Sequence, residues 1–431
     1  SLINANVALE PDDAVFSDPA WPSALRNNRA ALEPYFAEVE TLLGVQCADV
    51  HGIRKFDALH RLADSLGAPC HRAPIAVTQS KDLSVKITNA VGIAQNPCIG
   101  CANCVTGCNV GAKNTLPMNA LPLARSRGAR LFTGATVLSV EPAAGAPGGS
   151  QGWQVRFRRT ETSKTVLQQE VFTLRAAVVI LAAGTLGSTE ILLRSQARGK
   201  VRFSARLGSG FSGNGDVLAF GYAQRQEVNA VAQANFADAP DLHRERGIGP
   251  TITGYITVDT GAAAGGAASG RNVTIEDGAV PSAITHLFAE VIATASLPKR
   301  DVNPELPAWF KIPDNSNKDP LAVHPEALRH SQVLLAMGND DAVWRLELRP
   351  CPDARHDHDR ATVRIAATAM PPVFRDIDRL LEQGESNGGF DGGDYVPNPF
   401  WKLMPDGLSQ VSNAPAPGGQ VRGSAVREER P

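Results

Sequence analysis

The chain has 431 residues, enough for two hydrophobic cores, and its 43% hydrophobic and 20% charged residues are ordinary for a globular protein. A net charge of −2 argues against a nucleic-acid-binding surface, and no run of about 18 apolar residues predicts a membrane span. Four of the seven cysteines cluster between positions 98 and 108 and the opening residues do not resemble a signal peptide, so a cytoplasmic protein is predicted.

Two helices are predicted in the N-terminal third. Apolar residues recur at helical spacing over 32–43 and 56–66, and Gly44 and Gly67 are placed to end these helices. His60 lies on the apolar face of the second helix, which favours a histidine packed in the core over a metal ligand.

The hydrophobic period changes beyond residue 130. Alternating residues over 136–141, 154–158 and 166–174 predict a small antiparallel meander. The apolar run 178–181 predicts a buried parallel strand, and a small-residue turn and a helix that includes Glu190 follow it. Strand, glycine turn and helix are typical of nucleotide sites, since glycines and a helix N-terminus accommodate a phosphate, but ordinary strand–helix units share this order.

The second half of the chain mixes helix and strand patterns. The literal G-x-G-x-x-G at 208–213 does not predict a dinucleotide site, because the following run 217–222 looks extended and not helical. Further predicted elements are a helix over 284–292, strands over 331–337 and 344–348, and a disordered tail from 409.

The clustered cysteines have the spacing C-x2-C-x2-C-x3-C of bacterial iron–sulfur ferredoxins. They are Cys98, Cys101, Cys104 and Cys108. Thiolates at this spacing can surround a 4Fe-4S cluster, so one hypothesis is an iron–sulfur electron-transfer module. Ferredoxins carry a proline after the fourth cysteine and a second set of four cysteines, whereas here Asn109 follows and no second set exists. The alternative is a cysteine-rich loop with redox-inert thiols.

Four segments carry motifs that are specific when taken together. They are S-L-I-N-A at 1–5, G-A-K-N-T-L at 111–116 with Asn119 beyond it, L-A-A-G-T-L-G-S-T-E-I-L at 181–192 and L-G-S-G-F-S-G-N-G-D at 207–216. In this order they resemble the motifs of glucose–methanol–choline (GMC) oxidoreductases, in particular the cholesterol oxidase-like members.

The resemblance implies an α/β (α+β) fold with part of an FAD/NAD(P)-binding domain and a substrate domain built on a large, mostly antiparallel sheet. It implies FAD as the cofactor and oxidation of the CH-OH group of a small-molecule alcohol, with a sterol as one candidate. The domain parts are expected at 1–108 (substrate domain and flavin-covering segment), 109–210 (FAD-binding domain), 211–408 (substrate-binding domain) and 409–431 (tail).

The resemblance also implies the cofactor-binding residues. They are Asn4, Val137, Ala183, Gly184, Gly187, Asn214, Gly215 and Asp216. Among these, Val137 is expected near the adenine end of FAD, and Gly184 and Gly187 are expected against the cofactor.

Glu276 is the expected catalytic residue. Its position resembles that of an active-site glutamate on a strand of the substrate domain, shortly before a turn that contains proline. A carboxyl in an apolar pocket has a raised pKa, which suits proton transfer near neutral pH. The residues themselves leave an alternative, because Glu276-Asp277-Gly278 also has the composition of an exposed turn.

Two family features are missing from this sequence. Members of the family begin with a strand, G-x-G-x-x-G and a helix for the ADP half of FAD, and near the C-terminus a His-Pro-x-Gly-Gly motif and an Asn-Pro supply residues for the substrate hydroxyl. Here His324-Pro325 precedes Glu326 instead of the glycines, and Asn398-Pro399 has no matching context. The chain is therefore expected to be an internal fragment that is inactive alone and binds FAD weakly.

Overall fold

A computed structural model describes the chain over 5–19, 21–143, 152–160, 170–199, 201–233, 247–260, 272–300, 325–349, 359, 361–366 and 371–397. These residues form two compact units. The first unit contains the described parts of 1–127, 215–339 and 372–418, and the second contains those of 128–214 and 340–371.

The helices and strands are numbered in chain order. The helices are α1 (Asp13–Phe16), α2 (Glu33–Leu43), α3 (Arg54–Leu66), α4 (Ala120–Ser126), α5 (Gly184–Ala197), α6 (Thr285–Arg300), α7 (Pro325–Arg329) and α8 (Val373–Ser386). The strands of the first half are β1 (Gln46–Cys47), β2 (Cys70–Arg72), β3 (Pro74–Ile75), β4 (Ile87–Thr88), β5 (Ala94–Gln95), β6 (Ala135–Pro142), β7 (Trp153–Arg159) and β8 (Val171–Ala176). Those of the second half are β9 (Ser209–Phe211), β10 (Val217–Tyr222), β11 (Gly254–Asp259), β12 (Asn272–Asp277), β13 (Gln332–Gly338), β14 (Trp344–Arg349), β15 (Thr362–Ala366) and β16 (Asp394–Pro397).

A six-stranded sheet forms the centre of the first unit. Its strand order is β16-β10-β13-β12-β11-β2, and every neighbouring pair is antiparallel. Neighbouring strands such as β10 and β13 are more than a hundred residues apart in the sequence. Pairing across such separations brings side chains from distant segments into single rows across the sheet.

One face of this sheet packs against helices α3 and α8. Helix α3 contacts β2, β11 and β12, and α8 contacts β13 and β16. The side chains of that face include Ile256, Ile275 and Ala336, which have no exposed surface. On the opposite face, Leu218 and Leu335 are only half-buried. Successive strand residues point to opposite faces, so the two sides of one strand differ sharply in burial.

The two helices predicted in the N-terminal third are confirmed. Both end at glycines in the left-handed conformation, Gly44 (φ 57°) and Gly67 (φ 65°). The interpretation of His60 as a core residue is wrong, because its side chain is 58% exposed and lies 3.2 Å from Asp64. It follows the buried Leu59, and one residue along a helix turns a side chain by about 100°, out of the buried stripe.

The second unit contains the predicted meander. Strands β6, β7 and β8 form a three-stranded antiparallel sheet, and β15, β14 and β9 form another. Helix α5 contacts β6, β14 and β15. It is joined to β6 by a hydrogen bond from the Val140 N–H to Ser195 Oγ, 2.9 Å long.

The prediction of a buried strand at 178–181 is wrong. The segment forms no strand, and Val178 and Ile180 are 74% and 85% exposed. A buried parallel strand needs neighbours that satisfy its backbone groups, and no strand in the described ranges pairs with this segment. Helix α5 also begins at Gly184, so the glycines of the predicted turn lie in the first helical turns.

The mixed α/β fold class and the large antiparallel sheet are confirmed. Residues 217–222 form a strand, so the G-x-G-x-x-G at 208–213 lacks the helix that a dinucleotide fingerprint requires. The beginning of the strand predicted at 166–174 and the tail from 409 lie outside the described residues. Within the described part of the chain, no helix combines the length and apolar character needed to cross a membrane.

Candidate active site

A row of five side chains crosses the half-buried face of the six-stranded sheet. The strand registers pair His71 with Tyr255, Tyr255 with Glu276, Glu276 with Leu335 and Leu335 with Leu218. Residues directly opposite each other in a sheet share a face. The row therefore places one carboxyl between an aromatic ring and two leucines.

Glu276 is the buried carboxyl of this row. It lies within β12 and is 1% exposed, so its interpretation as an exposed turn residue is wrong. Its Oε2 atom is buried and has no hydrogen-bond partner among the described residues. Burial, together with the nearby charges of Asp277 and Asp216, raises the pKa of Glu276 from 4.5 to about 8.

The next residue on β12 is Asp277, and it faces the covered side of the sheet. Its Oδ1 accepts hydrogen bonds from the backbone N–H groups of Thr253 (2.6 Å) and Gly254 (2.7 Å). Its Oδ2 accepts from Lys55 Nζ and Thr253 Oγ1. Both side chains of the Lys55–Asp277 ion pair are fully buried. This network holds β12 in place next to Glu276, because each carboxylate oxygen of Asp277 accepts two hydrogen bonds.

Lys55 has two further acceptors, the Thr253 hydroxyl at 3.0 Å and the Thr251 carbonyl at 3.2 Å. Burial lowers the pKa of Lys55, and the charge of Asp277 opposes that shift. The sequence interpretation missed this ion pair. A signal exists, because Lys55 shares a helical stripe with Ala58, Leu59 and Leu62, where an apolar residue would be expected.

The expected cofactor residues Asn214, Gly215 and Asp216 lie between β9 and β10. Asn214 and Gly215 both have left-handed backbone conformations, with φ angles of 62° and 61°. A Cβ atom at Gly215 would lie 2.7 Å from the Gly338 carbonyl oxygen, so only glycine fits there. Asp216 is close enough to Glu276 for its charge to raise the pKa of that carboxyl. One expected cofactor residue and the expected catalytic residue therefore lie in the same neighbourhood.

The segment 111–119 presents two buried polar atoms without hydrogen-bond partners among the described residues. They are Asn114 Oδ1 and Asn119 Nδ2. Such atoms cost roughly 1–3 kcal/mol each when nothing bonds to them, so they favour a polar ligand at this segment. Neither atom was among the residues expected to bind the cofactor.

In the second unit, Ala183, Gly184 and Gly187 lie at the N-terminal end of α5, and Val137 lies on β6, which contacts that helix. No side chain of the helix cap accepts a hydrogen bond, and a Cβ atom at Gly184 would meet no atom within 4 Å. An uncapped helix N-terminus with open space fits an anionic group such as a phosphate. The remaining expected cofactor residue, Asn4, lies outside the described residues.

The four clustered cysteines line one small cavity together with Lys113. Burial raises the pKa of Cys98 and Cys104, and that of Cys101 to about 11. No group of three or more His, Cys, Asp or Glu side chains in the described ranges is arranged to hold a single metal ion.

Part of the chain is similar to known proteins. Residues 1–209 match the family GMC oxidoreductase. A cholesterol oxidase of Mycobacterium tuberculosis (strain CDC 1551 / Oshkosh) is 30% identical over 275 residues, which are 60% of this chain and 43% of that protein. A cholesterol oxidase of Acinetobacter baumannii is 28% identical over 210 residues, 47% of this chain and 37% of its own. The chain therefore spans less than half the length of these relatives. Residues 1–209 therefore match the GMC oxidoreductase family, and the chain is similar to these cholesterol oxidases.

Proposed function

We propose that this protein oxidises the CH-OH group of an alcohol with FAD, and that Glu276 transfers a proton of the substrate. The observation that carries the proposal is the buried Oε2 atom of Glu276, which has no partner among the described residues. A carboxyl held in such a place costs stability, which is typical of groups retained for chemistry. The match of residues 1–209 to the GMC oxidoreductase family supports the reaction class.

The neighbours of Glu276 favour an apolar substrate, and we propose a sterol. Leu218 and Leu335 extend from Glu276 along its row on one side, and Tyr255 lies on the other. These three side chains are only half-buried, so they can lose further surface to a bound molecule. Burial of apolar surface contributes roughly 25 cal/mol for each Å², which favours a large rigid hydrocarbon over a small polar alcohol.

The chemistry assigned to Glu276 follows from its surroundings. FAD, when bound, accepts the hydride that leaves the carbinol carbon. Glu276 takes up a proton at Oε2 when it is ionised, and its raised pKa makes it a stronger base than an ordinary glutamate. The strand β12 and the Lys55–Asp277 pair hold its backbone in place, and burial of Glu276 in the sheet limits its contact with water.

We further propose that the second unit is part of the FAD-binding domain. Its contribution is the N-terminal end of α5 with Gly184 and Gly187, and Val137 near the adenine end. The substrate domain is the six-stranded sheet with its helices. The G-x-G-x-x-G at 208–213 is followed by the strand β10 and not by a helix, so we expect this chain alone to bind FAD weakly.

The test is Glu276→Gln in the whole protein loaded with FAD. Flavin content should stay unchanged, because the side chain is not placed among the cofactor residues. Turnover of a sterol alcohol, or isomerisation of the ketone formed from it, should fall by about a hundredfold or more. Glu38→Gln, the same change at an exposed residue of α2, is the control. Unchanged turnover in Glu276→Gln would exclude the carboxyl from the reaction.

A further inference from the structure

The loop between β5 and α4 carries all four clustered cysteines. Cys98, Cys101, Cys104 and Cys108 all border the same cavity, although their spacing alone does not require this. All four are free thiols. Four thiol-bearing residues that line one cavity can supply ligands to one centre, whereas thiols packed at separate positions cannot.

Backbone amides in the loop point at the sulfur atoms. The Gly100 N–H donates a hydrogen bond to Cys98 Sγ over 3.4 Å. The backbone of Asn103 likewise forms a hydrogen bond with Cys101. Both hydrogen bonds join a cysteine to the residue two positions after it. Hydrogen bonds of this kind stabilise thiolate ligands and tune the metal that they hold.

The backbone of the loop adopts conformations that cost free energy. Ala102 is in the left-handed region with a φ of 61°, and it is buried. A residue with a Cβ atom in this region costs of order 1–3 kcal/mol, and such strain persists mainly at functional sites. Gly100 and Gly107 also have positive φ angles, 72° and 106°, and they allow the chain to turn between successive cysteines.

The rest of the first unit holds this loop in place. Thr251 Oγ1 donates to the Ala102 carbonyl (2.6 Å) and accepts from the Cys104 N–H (3.1 Å). Lys113 Nζ donates to the Cys104 carbonyl over 2.6 Å. Lys113 also supplies a positive charge beside the cavity, which would offset the negative charge of thiolate ligands. A prearranged scaffold and a compensating cation are what an anionic metal centre needs.

We propose that Cys98, Cys101, Cys104 and Cys108 ligate one 4Fe-4S cluster. The spacing C-x2-C-x2-C-x3-C is that of iron–sulfur proteins, and structural zinc sites use separated pairs of ligands instead. A cluster of four irons and four sulfides is larger than one ion, so its ligands are spaced more widely than those of a single metal. The proposal does not depend on alcohol oxidation.

The test is metal analysis of the chain purified without oxygen and, separately, reconstituted with ferrous iron and sulfide. We expect about four irons and four acid-labile sulfides for each chain, with broad visible absorbance that bleaches on reduction. Cys101→Ser should lose most of the iron and sulfide. Cys70→Ser is the matched control, since Cys70 is also half-buried but lies outside the loop, and it should retain both.

Three results would overturn the proposal. They are wild-type protein without iron and sulfide after reconstitution, zinc bound in place of iron without sulfide, and equal iron contents in Cys101→Ser and Cys70→Ser. Circular dichroism of both variants separates loss of the cluster from loss of the fold. If Cys101→Ser fails to fold, the wild-type iron and sulfide contents still decide the question. None of these measurements uses flavin or alcohol, so their failure would leave the proposed oxidation untouched.

Discussion

Replacing Glu276 by glutamine exchanges a buried titratable group for a neutral one of the same shape. In the folded protein the pKa of Glu276 is raised from 4.5 to about 8, mainly by burial. The folded state therefore holds this proton more tightly than the unfolded chain does. The contribution of the protonated carboxyl to stability is fully present below pH 4.5 and is lost as the pH rises to about 8.

The size of the effect follows from the same two pKa values. Each unit of pKa difference corresponds to about 1.36 kcal/mol. The rise in the pKa from 4.5 to about 8 therefore means that wild-type protein loses roughly 5 kcal/mol of unfolding free energy between acid and alkaline pH. Between about pH 5 and about pH 8 the loss is roughly 3 kcal/mol. Glutamine does not titrate, so the stability of Glu276→Gln relative to wild type should rise by this amount over that range. The buried amide adds an offset that is independent of pH.

Urea unfolding followed by circular dichroism at several pH values measures this difference. The quantity to compare is the change with pH of the stability difference between variant and wild type, because other titrating groups cancel in it. Glu38→Gln should show no such change, since Glu38 is exposed on α2. Parallel pH profiles for wild type and Glu276→Gln would refute the reasoning, because the carboxyl would then be solvated and unsuited to its proposed role.

Three further outcomes are expected. Lys55→Met should lower the free energy of unfolding by about 3–5 kcal/mol in a urea titration, because it leaves Asp277 buried without its cation, whereas Arg54→Met at a surface ion pair should cost about 1 kcal/mol or less. Gly184→Val should reduce the flavin content of the whole protein, measured by absorbance after gel filtration. Gly199→Val is the control and should retain flavin, because Gly199 has the same φ of 71° and a Cβ atom there would also meet no atom within 4 Å. Isothermal titration of this chain with FAD should give a dissociation constant above the micromolar range, and tighter binding would contradict the need for a fingerprint of strand, G-x-G-x-x-G and helix.

The sequence by itself determined the local elements and the family. Helical periodicity and the glycines Gly44 and Gly67 located two helices and their ends, because backbone conformation at a helix terminus depends on the residue there. Alternation located the meander and most long strands, since the period of two is a local property. The motifs between residues 1 and 216 indicated the GMC oxidoreductase family through their order and spacing, and residues 1–209 match that family.

What covers each face was decided only by the tertiary structure. Lys55 and Asp277 are 222 positions apart, and only the packing of α3 on β12 joins them. The same packing distinguishes Asp277 from its neighbour Glu276. Asp277 accepts four hydrogen bonds, whereas Oε2 of Glu276 has no hydrogen-bond partner among the described residues. His60 and the run 178–181 were predicted to be buried and are exposed, because apolar periodicity shows that a face could be buried but not whether a partner reaches it.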